Sequence, residues 1–169
     1  TKNTHNTIIT NLTIKQQSNI VQRKLGSFCY YERIICLKCS GEEDMRYINL
    51  GANGPRVSVV GLGTMTWGQQ NNESEAFAQM DFAKSRGINL FDVAELYPVP
   101  PRPETYGLTE RYIGNWLADR GHRDEVVLAT KVIGRSTGLN TPYAGYIRGG
   151  SNLNRDNIRR AVEGSLVRL

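Results

Sequence analysis

In the stretch NLFDVAELYP, Asn89 to Pro98, an apolar run stops at Asp92, and Glu95 and Tyr97 follow within five residues. A second apolar run, VVLATKV, carries Lys131 near its close. Side chains alternate faces along a strand. Leu90, Asp92 and Ala94 therefore share one face of the first run, and Val127, Ala129 and Lys131 share one face of the second. Asp92 and Lys131 end faces that are otherwise apolar or small, and a half-buried charge needs a partner. A carboxylate, an ammonium and a phenol at one mouth have a chemical use. A phenol ionises near pH ~10 and is a poor proton donor at neutral pH. A neighbouring ammonium favours the phenolate, and a carboxylate keeps that ammonium charged and oriented. The phenol could then protonate an oxygen that becomes anionic as hydride reaches its carbon, and carbonyl reduction by a nicotinamide cofactor needs such an acid. Each residue also has a plainer reading. An Asp after a strand commonly forms a turn or caps a helix, a strand-end Lys is commonly solvated, and a Tyr beside prolines commonly packs. Spacing alone leaves both readings open.

The elements that must position these residues alternate in type. RYINL and RVSVV flank the turn signal Gly51-Ala52-Asn53-Gly54, which predicts a hairpin. VSVVGLG reads as a strand. Asn72 and Glu75 form a capping box for a helix with Ala76, Phe77, Met80 and Ala83 on one face and Gly87 as its stop. A strand over 88–94 and a proline-rich loop follow. A second helix runs from about Thr109 to Gly121 with Ile113, Trp116 and Leu117 inward. A strand over 125–132 and a long Gly/Ser/Asn loop lead to Asn154. That residue caps a third helix with the stripe Ile158, Ala161, Val162 and Leu166. The strands are apolar on both faces, as in a parallel sheet covered by helices, and their spacing is that of βα units. A closed barrel takes eight such units, about 250 residues; three are legible here, and Leu169 falls inside a helical pattern, so a truncated chain is expected.

Composition narrows the function classes. The chain has 169 residues, 39% hydrophobic and 22% charged, with a net charge of +5. No apolar run approaches the roughly 20 residues of a membrane span. No Lys/Arg cluster or nucleic-acid motif accompanies the charge. Cys29, Cys36 and Cys39 lie early, and Cys36 and Cys39 lack a second ligand pair for zinc, so free thiols are expected and no metal. Residues 1–44 differ from the rest: Asn, Thr, Ile and Lys make up 19 of the 44. A targeting peptide, a small appended element and sequence read through from upstream of a start at Met45 compete as readings. The residue types, those of A/T-rich codons, favour the last, and the segment is expected to be disordered. GLGTMTWG, Gly61 to Gly68, invites a dinucleotide fingerprint, but Thr66 stands where GxGxxG needs glycine. PVPPRPE, Pro98 to Glu104, is read as a stiffened loop in preference to a polyproline ligand.

MRYINLG, GLGTMTWG, GINLFDVAELYPVPPRPETYGLTERYIGNWL and VVLATKV together resemble the N-terminal part of an aldo-keto reductase. The resemblance is nearest to the bacterial Tas-like NADP(H)-dependent branch, in which TMT[WF]G and AE-x-YPVPPRPET are distinctive. It covers Met45 to Leu169, and residues 1–44 have no counterpart. It implies an α/β fold, a partial (β/α)8 TIM barrel made of the N-terminal hairpin, which plugs the bottom, and the first three βα units. It implies NADP(H)-linked reduction of aldehydes or ketones by a tetrad of Asp, Tyr, Lys and His. Asp92, Tyr97 and Lys131 match three of these as catalytic residues, with Tyr97 the general acid. Gly63, Thr64, Met65 and Asp92 match the cofactor-binding positions, and Trp67 and Tyr97 the substrate pocket, to which 138–154 would also contribute. The family's histidine and its 2′-phosphate grip fall beyond Leu169. The isolated chain is therefore expected neither to reduce carbonyls nor to hold NADPH tightly, and its open sheet edge to favour aggregation. A cytoplasmic enzyme with a small carbonyl substrate, and with neither membrane nor nucleic-acid partner, is expected; oligomeric state is not set. The rival is a non-catalytic interaction protein on the same scaffold, against which the retained Asp92, Tyr97 and Lys131 argue.

Overall fold

A computed structural model describes residues 44–135, 145–150 and 152–169. Cys29, Cys36, Cys39, the expectations for 1–43 and part of the loop between the second and third βα units lie outside the described residues.

The chain enters as an antiparallel hairpin, β1 (Tyr47–Asn49) and β2 (Arg56–Ser58), with Tyr47 opposite Ser58. The strand-like run VSVVGLG then splits. Its first part pairs with β1, while β3 (Gly61–Gly63) opens a separate three-stranded parallel sheet in the order β3-β4-β5. In that sheet β4 (Leu90–Asp92) is central and β5 (Val127–Ala129) lies beside it, so that Asp92 faces Gly63 on one side and Ala129 on the other. The strands are shorter than the apolar runs predicted. Glu125, the expected start of the last one, instead closes a short 3-10 turn, Arg123–Glu125.

Three helices follow the three parallel strands: α1 (Glu73–Ser85), α2 (Leu108–Arg120) and α3 (Arg155–Arg168). The capping box at the start of α1 forms as expected, with the Asn72 side chain accepting from the Glu75 amide at 2.9 Å and the Glu75 carboxylate accepting from the Asn72 amide at 2.9 Å. Phe91 and Val93 turn one face of β4 into the core against Met80, Ile113 and Trp116, all fully buried. Leu90 and Asp92, on the other face, are half-buried.

The third helix departs from the predicted stripe. Ala161 is buried, but Ile158, Val162 and Leu166 are exposed, and Asn157 and Ser165 join Ala161 on the covered face. Small and polar residues let this helix come close to α2. A Cβ added at Gly114 would lie 2.0 Å from the Arg168 carbonyl oxygen, so only glycine fits there.

The hairpin docks at the end where β4 begins. Tyr47 donates to the Gly87 carbonyl at 2.7 Å. The Asn89 side chain accepts from the Ser58 amide at 2.7 Å and donates to the Arg56 carbonyl at 3.0 Å. The opposite end of the sheet, where the strands stop, is left to the charged residues.

Candidate active site

Asp92 is the last residue of β4, and its paired neighbour Ala129 is two residues before Lys131. The ladder runs on past the strands, with the Val93 amide donating to the Ala129 carbonyl at 2.9 Å and the Glu95 amide to the Lys131 carbonyl at 3.1 Å. This register brings the two charges together. The Lys131 ammonium stands 2.8 Å from each Asp92 carboxylate oxygen and 2.6 Å from the Val93 carbonyl oxygen. Three acceptors meet a group with three donors. Asp92 and Lys131 are 42% and 45% exposed, so the pair is open to a ligand and screened by solvent.

Tyr97 joins them by a different contact. Its amide closes a turn onto the Ala94 carbonyl at 3.0 Å, and the Lys131 ammonium lies 4.9 Å from its ring centroid. That is cation–π distance. The ammonium thus meets Tyr97 across its ring face, while its hydrogen bonds go to Asp92 and Val93.

The loop after β3 divides. Gly63 pairs with Asp92 in the ladder, and Met65, half-buried, holds the proline loop by accepting from the Val99 amide at 2.9 Å. Thr64 is 1% exposed and donates its hydroxyl to the Asp92 carbonyl at 2.9 Å, so it fixes the end of β4. Trp67, expected as a wall of the substrate pocket, is a core residue. It is 1% exposed, packs within the main hydrophobic cluster and donates its indole N–H to Gln79 Oε1 at 2.8 Å. A large apolar ring with a buried hydrogen-bond partner under α1 is more stable there than in a solvent-facing cleft.

Sequence reasoning missed the buried charges behind the open pair. Glu95, fully buried, accepts from both terminal nitrogens of Arg148 at 2.9 and 2.8 Å, from the Ile133 amide at 2.9 Å and from the Tyr106 hydroxyl at 3.3 Å. Burial pushes its carboxyl up, but the hydrogen bonds from Arg148 and Ile133 outweigh that and hold it below the usual carboxylate range. Burial, with the Glu95 charge, pushes the Tyr106 hydroxyl up. A second buried carboxylate, Glu110, accepts from Arg168 Nε at 2.7 Å and from the Thr130 hydroxyl at 2.6 Å. The Arg168 guanidinium lies 5.4 Å from the Tyr106 ring centroid. Among the described residues no buried side-chain polar atom lacks a hydrogen-bond partner. The available signal was Glu95 itself, an acid between the apolar Ala94 and Leu96.

Residues 59–169 match the model of the aldo/keto reductase family. The chain is 52% identical over 125 residues to Protein tas of Escherichia coli, covering 74% of this chain and 35% of that protein. It is 44% identical over 128 residues to the uncharacterized oxidoreductase YrpG of Bacillus subtilis, covering 74% of this chain and 36% of that one. Its fold is similar to the holo form of an aldo-keto reductase from Bacillus halodurans, with a TM-score of 0.55 and 32% identity over 74% of this chain and 36% of that chain. The chain thus spans about a third of the length of the curated relatives it matches. With its parallel strands ending on a bonded Asp92–Lys131 pair beside Tyr97, and with these matches, the chain belongs to the aldo/keto reductase family.

Proposed function

We propose that the protein carrying this chain is an NADP(H)-dependent aldo-keto reductase that acts on small aldehydes or ketones in the cytoplasm. The described residues would be the hairpin and first three βα units of its (β/α)8 barrel. The observation that carries the reading is the Lys131 ammonium, bonded to both Asp92 oxygens and standing 4.9 Å from the Tyr97 ring centroid. Asp92 orients the ammonium. Lys131 stabilises the negative charge that Tyr97 gains as its hydroxyl gives a proton to the substrate oxygen.

The donor set fits the reacting end of a nicotinamide cofactor. Asp92, Lys131 and Tyr97 are all partly exposed at one strand end, and Gly63, at the end of the neighbouring strand, and Met65, in the loop after it, lie beside that end. NADPH, when bound, supplies the hydride. No part of the chain is assigned to the 2′-phosphate.

The test is NADPH consumption by the longer protein against a panel of aldehydes and ketones. Carbonyl-dependent consumption that Lys131→Met abolishes is expected. A folded protein that consumes NADPH with none of them would overturn the reading. The 169 residues alone are proposed to be inactive, because the resemblance puts the tetrad histidine and the 2′-phosphate grip outside the matched segment. Cofactor-dependent turnover by these residues alone would refute that part.

A further inference from the structure

Two residues separate Asp92 from Glu95, and one separates Glu95 from Tyr97, yet Glu95 faces away from the open pair. It touches the lysine's strand at two points instead. Its backbone N–H donates to the Lys131 carbonyl at 3.1 Å, and its Oε1 accepts from the Ile133 amide at 2.9 Å. A side chain thus takes over the ladder where the backbone pairing of β4 with β5 has ended, and Lys131 is one end of the bracket. The same short segment of Glu95 carries Tyr97.

A buried carboxylate in that place needs a countercharge. Arg148 supplies it in fork geometry, at 2.9 and 2.8 Å, and is itself steered by Nε, which donates to Asn157 Oδ1 at 3.0 Å. Arg148 is presented by a tight turn, in which the Gly150 amide donates to the Ile147 carbonyl at 3.0 Å and both central residues, Arg148 and Gly149, take positive φ, 53° and 72°.

We propose that Glu95 is a positioning residue, which brackets Lys131 through the Ile133 amide and so sets where the ammonium stands against Asp92 and Tyr97, with Arg148 as the countercharge that lets it be buried. The proposal deepens the reductase reading, and its purpose rests on that reading. The bracket itself can be tested without turnover.

Glu95→Asp keeps the charge for Arg148 but draws the carboxylate back by one methylene from the Ile133 amide. Glu95→Gln keeps the reach and loses the charge. The readout is the rate at which acetic anhydride acylates Lys131 in the folded full chain, followed by mass spectrometry with Lys84, at the far end of the sheet, as internal reference. Lys131 acylation is expected to rise several-fold in Glu95→Asp and by distinctly less in Glu95→Gln, with Lys84 unchanged. Exchange of the Ile133 amide rises in the same order. Wild-type acylation of Lys131 in a folded Glu95→Asp chain would overturn the proposal. An equal rise in both variants would also overturn it, since the charge and not the reach would then be at work. Failure of the reductase reading shows separately, as absent carbonyl-dependent turnover, and leaves this outcome untouched.

Discussion

Where β4 begins, the hairpin is fastened by neutral hydrogen bonds from Tyr47, Ser58 and Asn89 to backbone and to each other. Where β4 ends, an open ion pair, Asp92–Lys131, is backed by two buried ones, Glu95–Arg148 and Glu110–Arg168. The same three strands join the two ends. Neutral bonds hold position at little desolvation cost. Buried charges cost more to place and are strongly destabilised when one partner is lost. Their concentration at one end of the sheet teaches that the chain accepts a desolvation cost there which it avoids at the other end. A shallow groove does lie at the closed end, lined by Tyr47, Lys84, Gly87, Ile88, Asn89 and Glu125, but the ion pairs there, of Glu125 with Lys84 and His122, are on the surface.

The largest effect is expected at Tyr97. Tyr97→Phe removes the proton and little else, and should lower kcat of the longer protein by about 10²- to 10⁴-fold, the range of general acid catalysis, with its thermal transition nearly unmoved. A loss of activity matched by loss of fold would mean that the charged end serves structure alone.

Next in size is the pair behind the site. Arg168→Met leaves the Glu110 carboxylate buried without its guanidinium. Chemical denaturation of the chain should show a loss of about 3–5 kcal/mol. At the closed end, Asn89→Ala leaves the Ser58 amide without its acceptor. It should cost about 1–3 kcal/mol in the same assay and leave Lys131 acylation unchanged. Equal costs at both ends would erase the distinction drawn between them.

The mildest perturbation is acid. The Glu95 carboxyl is held below its usual range, so the stability it contributes is complete above that range and is lost as pH falls through the depressed value. The hydrogen bonds that dock the hairpin involve no carboxylate. The protection of the Ile133 amide, its exchange rate relative to that of an unstructured amide at the same pH, should therefore fall before that of Ser58 as pH is lowered. The reverse order would show that the hairpin end is the acid-sensitive one.

Much of the fold was legible because its signals are local. Asn72 with Glu75, Gly121 after α2 and Asn154 before α3 mark helix ends by chemistry within one turn, and each stands where it was read. Strand parity placed Asp92 and Lys131 on matching faces before any register was known. The third helix shows the limit. Its stripe of Ile158, Val162 and Leu166 has helical period, but which face is covered depends on the neighbour, and the close approach at Gly114 selects the side of Ala161 and Ser165 instead. Thr64 and Trp67 show it again, since a residue at a strand end reads the same whether it points out to a ligand or down into the core.

The sequence by itself determined the βα alternation, the caps and the three residue types that could carry a proton to a carbonyl oxygen, because each depends on neighbours a few positions away. Only the tertiary structure decided that Lys131 spends its hydrogen bonds on Asp92 and Val93 and meets Tyr97 across its ring. Only it decided that Glu95 is buried against an arginine 53 positions along the chain, and Glu110 against one 58 positions along. A buried charge must find an opposite charge wherever the fold brings one, and that meeting is fixed by the register of strands and the approach of helices, which no local pattern encodes.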